Sequence, residues 1–562
     1  MKKMRNYLAL LVTILILGSC GKPPTDFEGV QYVITPSPLE VHNGKVEGKI
    51  DITFPDGYVD PAATVAITVE INNAAGITEL TTINIQGSEA EGNNIIIPEM
   101  GGKAAGSFSI DYKESMKLSV VQAKATGSVG KKVAEIPAIK VGDGVIATST
   151  LVDGKGAFAA LGADEYQQIV PESQTADINY TIQSSTIRNS ELKADDVKAL
   201  SEYVKAASAD DRKEFTGVSV SSYASPDGAE ELNTKVSGRR GTSSDKYLTK
   251  ELKKAKVEGV DVVSETTPED WAGFQAAVEA SDIQDKELIL RVLSMYDDPA
   301  KREEEIKNIA ATYKELAADI LPQLRRSQIS ININVIGRTD DEIKAQYAED
   351  ATQLSVEEIL YAATLTDDAD EKLEIYKKAV AVYPEDWRGY NDMAYILMGQ
   401  AKYAEAAEAV KKAAAVEATA EVNNNLGAVA LNNGDVAKAK EQLGKAAGAG
   451  QPLDYNMGIV AIYDADYATA AAKLKGSASN NAALACILDE DYAAATAELD
   501  DVATPDAMTY YLKAIVAART SKTQEVISNL AKSISMDPAM KDAAKSDIEF
   551  AAWFENVAFT AL

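Results

Sequence analysis

Two cysteines and one histidine in 562 residues leave little material for metal or thiol chemistry. A single histidine cannot build a typical zinc site, and any Ser/His/Asp catalysis would have to run through His42. His42 stands beside a strand pattern without a histidine partner, which reads as a structural or surface role. The chain has no Gly-rich phosphate loop and no metal-ligand cluster, so the expectation is a protein that is not an enzyme and takes no cofactor and no metal. Basic residues are also short: 56 Lys and Arg stand against 86 Asp and Glu, a net charge of −30. Nucleic-acid binding needs clustered Lys and Arg against phosphates, so no nucleic-acid partner is expected. The one marked apolar run, 8–17, is too short to span a bilayer. What remains is a globular composition, 46% apolar and 25% charged, in a chain long enough for about three or four domains.

The start of the chain reads as a targeting segment. Lys2, Lys3 and Arg5 precede the apolar run, which ends in Leu17-Gly18-Ser19-Cys20. This resembles a bacterial lipobox. The resemblance implies a leader over 1–19, lipidation of Cys20 and a linker over 20–35. With Cys20 acylated only Cys486 is left, so no intrachain disulfide is expected, and Cys486 reads as a small buried hydrophobe in a helix. In lipoproteins of the Bacteroidota kind, surface display goes with acidic residues just after the cysteine. Here none comes before Asp26. The implied location is the outer membrane, lipid-anchored and facing the periplasm.

Residues 36–170 read as a β-sandwich. The stretches 46–54 and 64–71 alternate apolar with polar, 94–98 and 117–121 are short apolar runs, and Pro and Gly punctuate them. Gly142-Asp143-Gly144 reads as a turn into a strand. No chemistry is visible in this region.

Residues 175–340 carry the most informative stretch. A strand over 218–223 leads into the turn Ser225-Pro226-Asp227-Gly228, and an amphipathic helix follows, with Leu232, Val236 and Arg240 at i, i+4 and i+8. A strand that delivers a turn and a helix N-terminus to one spot makes a place for an anionic group. Asn233, Ser237 and Arg240 match in spacing the core motif of the OmpA C-terminal-like peptidoglycan-binding family. The resemblance implies an α+β sandwich, in which a turn Asp and the helix Arg grip the ammonium and carboxylate of a diaminopimelate side chain. The Arg position is Arg240. The Asp position holds uncharged Ser225, and Asp227 stands two residues on. Candidate peptidoglycan contacts are therefore Arg240, Asn233, Asp227 and Ser225. A helical insertion over about 268–321, with Trp271 and Phe274 as core candidates, interrupts the domain before a strictly alternating strand over 328–335.

Residues 354–562 repeat. Small residues recur at Ala406, Ala439, Ala470 and Ala495, at spacings of 33, 31 and 25 residues, each near a Tyr or Leu of matching offset. This resembles the tetratricopeptide (TPR) family, whose period is about 34. The resemblance implies an all-α solenoid with a concave groove. In the family register the groove candidates are Asn391, Tyr395, Asn424, Asn432, Tyr455 and Tyr463, types suited to an extended peptide. The combined expectation is a multidomain protein: an N-terminal β-sandwich, an α+β OmpA-like domain with a helical insertion, and a C-terminal TPR solenoid. The order resembles lipoproteins of the Bacteroidota. It implies a non-enzymatic scaffold contacting the outer membrane through its anchor, possible peptidoglycan, and protein partners through the groove. The alternative is an accessory subunit of an assembly or secretion complex that binds a β-barrel partner.

Overall fold

The computed structural model describes residues 23–283 and 285–562. The expected leader and Cys20 lie outside them. The chain forms two compact units. Of the described residues, one unit combines those up to 163 with 366–562, and the other is 164–365. In sequence, the second unit is thus inserted into the first.

The N-terminal part of the first unit is two β-sheets face to face. The strand Ala63–Asn73 is the centre of one, pairing antiparallel with Gly76–Gln86 on one side and Val120–Val129 on the other. Its alternation sets its faces: Val65, Ile67 and Val69 are buried, and the residues between them are less so. Lys45–Phe54 runs along Gly102–Asp111 and pairs with Gln31–Thr35 in the other sheet. Both inner faces fill one apolar core, Ile50, Ile52, Val65, Ile67 and Ile85 among it. The sheets end at Val145–Ile146. Residues 147–163 are therefore not sandwich, although alternation and turn signals placed them there. They leave the sheets and run against the C-terminal helices. Likewise the run 117–121 becomes a strand only from Val120.

The C-terminal part is a stack of antiparallel helix pairs. Trp387–Gly399 packs on Tyr403–Val416, Ala420–Asn432 on Val436–Leu443, and Gln451–Tyr463 on Tyr467–Leu474. Asn480–Leu488 with Tyr492–Asp500, and Ala507–Arg519 with Thr523–Met536, complete the series. Each pair turns on one left-handed residue, Ala401, Gly434, Ala465, Glu490 or Ser521. In the middle three pairs an aspartate follows and caps the second helix: Asp435, Asp466 and Asp491 accept N–H groups of Lys438, Thr469 and Ala494. Ala406, Ala439, Ala470 and Ala495 are fully buried where the helices meet. A larger side chain there would force the helices apart. These hairpins, at a TPR-like interval that shortens along the chain, make the region a tetratricopeptide-type solenoid. Cys486 is buried within it.

The second unit holds a four-stranded sheet. Arg326–Ile336 lies between Ile169–Asn179 and Lys213–Tyr223, antiparallel to both, and Val262–Thr267 runs parallel to Lys213–Tyr223 at the edge. The helices Asp195–Ala207 and Glu230–Lys254 cover one face, where apolar side chains such as Leu200, Val204 and Leu248 meet Ile329, Ile331 and Ile333. The first strand begins at Ile169, inside the span read as sandwich, and ends before Ile182, which is exposed. Helices between Trp271 and the closing strand have a separate core around Phe274, Val278 and Ile289.

Candidate functional site

The inner face of the solenoid carries a ladder of amides. Asp392, Asn425, Asn456 and Asn481 occupy one register position on the first helices of successive pairs, each fourteen residues before one of the buried alanines. They face residues 153–162 of the same chain. Gly162 N–H donates to Asp392 Oδ1 at 2.7 Å, and Ala160 N–H to Asn425 Oδ1 at 2.6 Å. Phe158 N–H donates to Asn456 Oδ1 at 2.7 Å, and Asp153 N–H to Asn481 Oδ1 at 2.9 Å. Between 158 and 162 every second residue is held, the period of an extended strand.

The amide nitrogens complete the grip. Asn425 and Asn391 both donate to Ala160 C=O, at 2.8 and 3.0 Å. Asn456 and Asn424 both donate to Phe158 C=O, at 2.8 and 3.0 Å, and Asn481 donates to Asp153 C=O at 2.9 Å. Neighbouring repeats are tied together as well: Asn425 donates to Asn391 Oδ1 at 2.8 Å, and Asn456 to Asn424 Oδ1 at 2.9 Å. Asn391, Asn424, Asn425 and Asn456 are fully buried. A buried amide is stable only when its donors and acceptors are met, and here the segment's backbone meets them.

Shape follows the same segment. Phe158 stacks flat on Tyr455, with ring centroids 3.8 Å apart and planes 2° from parallel. Gly154 comes so close that a Cβ would lie 2.4 Å from the Leu431 carbonyl oxygen, so only glycine fits. Asp392 carries a carboxyl where the next three repeats have amides. Burial pushes it up to about 8, against the lowering effect of the Gly162 N–H and the Asn391 amide.

Of the groove residues expected from the repeat register, Asn391, Asn424 and Tyr455 touch the segment. Tyr463 is half-buried, with its hydroxyl near Gly154. Tyr395 is exposed, and Asn432 takes no part in the ladder. Asp392, Asn425, Asn456 and Asn481 were not anticipated; the constant offset to the small alanines was the signal that could have found them. Elsewhere in this unit His42 Nδ1 lies 2.9 Å from Tyr467 Oη.

The inserted unit places the other candidate set around one cleft. Asn233 donates to the carbonyls of Ser225 and Gly228, both at 3.1 Å, and so closes the turn onto the helix. Arg240 is buried and donates to the carbonyls of Ser184, Tyr223 and Thr181 at 2.9, 2.8 and 3.3 Å, with its guanidinium over the Tyr180 ring. Burial pulls Arg240 down to about 10, and the Arg325 charge pushes the same way. Ser225 donates to Asp227. Asp227 pairs with Arg325 at 3.2 Å, and Arg325 Nε also donates to Ser225 Oγ at 3.2 Å. Arg325, just before the closing strand Arg326–Ile336, was not among the expected residues. Among the described residues no group of His, Cys, Asp and Glu could hold a metal ion, and no helix is long and apolar enough to cross a membrane.

No protein-family model and no curated protein matches the chain. Similar solved structures include the APC/C Cut9–Hcn1 hetero-tetramer, at 17% identity over 38% of this chain and 45% of that chain, with a TM-score of 0.31. A tetratricopeptide repeat protein from Parabacteroides merdae is 14% identical over 37% of this chain and 90% of that one, TM-score 0.28. The pilF protein of Pseudomonas aeruginosa is 16% identical over 38% and 98%, TM-score 0.28. The repeat assignment stands on the hairpins themselves rather than on these similarities.

Proposed function

We propose that the protein is a non-enzymatic scaffold built on polypeptide recognition, anchored by lipid at Cys20 to the outer membrane and facing the periplasm. The observation that carries the reading is the amide ladder: a solenoid surface that grips one edge of an extended backbone through the N–H and C=O groups of alternate residues, with the Phe158–Tyr455 stack beside it. In this reading the groove's resting occupant is residues 153–162, which staple the sandwich to the solenoid. The inserted unit adds a contact to the cell wall through the Arg240 cleft. The lipobox and the OmpA-like motif support the anchor and the wall contact. Cys20→Ala should release the protein from membranes on cell fractionation.

The test of the groove uses a fluorescein-labelled peptide of residues 150–163 and the purified full-length chain in detergent. Wild type should not bind it, because the tethered copy fills the groove at an effective concentration of order mM. A variant with Phe158→Ala and Ala160→Pro loses the stack and one held N–H, and should bind the peptide. A loosened variant that ignores the peptide would refute the groove as a polypeptide site.

A further inference from the structure

The cleft beside the 225–228 turn has the wrong charge for a ligand that brings an ammonium and a carboxylate together. Two guanidinium groups, Arg240 and Arg325, face it with one carboxylate, Asp227. Asp227 is already neutralised. Its two oxygens take Ser225 Oγ and Arg325 Nη2, and Arg325 approaches at 3.2 Å with its side chain only 12% exposed. An ammonium arriving there would have to displace Arg325 Nη2 from Asp227 and stand beside a second cation. The excess charge is positive. Arg325 lines the cleft, and its Nη1 has no acceptor among the described residues. Val236 and Leu232 supply an apolar flank. The cavity volume is about 60 Å3.

We infer that this cleft is a carboxylate-selective site, in which Arg325 reads the anion of a short-chain acid, the buried Arg240 adds positive charge behind it while its guanidinium stays on backbone carbonyls, and no residue reads an amine. Asp227 then opposes the ligand: it takes Arg325 Nη2, one nitrogen of the fork that the incoming carboxylate needs, while Nε rests on Ser225 Oγ. The choice of probe rests on the wall-contact reading, because wall peptides carry side chains with terminal carboxylates. The inference reverses the part Asp227 would take in that reading, where it would hold the ammonium.

The experiment titrates the purified full-length chain in detergent with three seven-carbon probes, heptanedioate, meso-diaminopimelate and 1,7-diaminoheptane, followed by saturation-transfer NMR. The two acids should bind within about threefold of each other, and the diamine should not bind. Arg325→Gln should weaken both acids by about tenfold or more. Asp227→Asn keeps the turn's acceptor oxygen and removes the charge that competes for Arg325 Nη2, so it should tighten heptanedioate by about threefold or more. A gain of affinity is an outcome that damage to the fold cannot mimic. Diaminopimelate binding about tenfold tighter than heptanedioate, weakening by Asp227→Asn, or binding of neither acid would each overturn the inference. Sedimentation with purified sacculi separates the two readings. Acids that bind while sacculi do not would sink the wall contact alone. Sacculi that bind wild type and Arg325→Gln equally would sink the carboxylate assignment alone.

Discussion

Replacing Asn425 by alanine should detach the middle of the 153–162 segment. Asn425 is fully buried and takes part in four hydrogen bonds. It accepts the Ala160 N–H at 2.6 Å and an Asn424 amide hydrogen at 3.1 Å, and it donates at 2.8 Å to Ala160 C=O and to Asn391 Oδ1. Not all of these partners are stranded by its loss. Ala160 C=O keeps Asn391, and the Asn424 amide keeps Phe158 C=O. The Ala160 N–H and Asn391 Oδ1 are left without a partner in a buried site. At about 1–3 kcal/mol for each buried unsatisfied group, the cost is about 2–6 kcal/mol, and water entering the gap would hold it toward the lower end. Asn432→Ala is the control: it lies on the same helix, outside the ladder, and should change stability by no more than about 0.5 kcal/mol. Urea unfolding, together with hydrogen exchange at Ala160, measures both. Equal midpoints for the two variants would refute the claim that the ladder holds the segment.

Asp392→Asn tests the electrostatics of the first rung. Folded Asp392 titrates at about 8 and its ordinary value is 3.8, so between these the folded chain holds a proton that the unfolded chain has released. Its contribution is fully present below pH 3.8 and is lost as pH rises through 8. The asparagine variant keeps the Oδ1 acceptor without the proton, so its stability relative to wild type should grow from pH 5 to pH 9, on the order of a few kcal/mol. A difference that stays constant across urea midpoints at pH 5, 7 and 9 would contradict this. Gly154→Ala puts a Cβ 2.4 Å from the Leu431 carbonyl oxygen and should destabilise the first unit by about 1–3 kcal/mol, read as a lower thermal midpoint. An unchanged midpoint would mean the segment does not pass that carbonyl.

Periodicity made much of the fold legible. The strand Ala63–Asn73 alternates cleanly, and the strand Arg326–Ile336 carries Ile329, Ile331 and Ile333 on one face. The strand Gly102–Asp111 was hidden, because Gly, Ala and Ser occupy most of its positions and leave little apolar signal. The solenoid showed through its small residues, since helix packing tolerates little else at Ala406 and Ala439. Most of the ladder did not show. An asparagine on a helix usually faces water, and nothing local distinguishes Asn456 from such a residue. Residues 153–162 were the least readable part. Their Gly and Ala content specifies no element, and their extended form is imposed by amides that lie more than 200 positions away in the chain. Arg325 was missed for a related reason: its partner Asp227 is distant in sequence, and neither position belongs to a repeating pattern.

The most direct measurement is residue-resolved hydrogen exchange across the 153–162 segment in the intact wild-type chain, by mass spectrometry with electron-transfer fragmentation. The N–H groups of Asp153, Phe158, Ala160 and Gly162 are held by the ladder, while those of Ala159 and Leu161 find no acceptor among the described residues. An alternating pattern is expected, with 158, 160 and 162 protected and 159 and 161 exchanging fast. Uniformly fast exchange from 158 to 162 would show that the groove does not hold this segment.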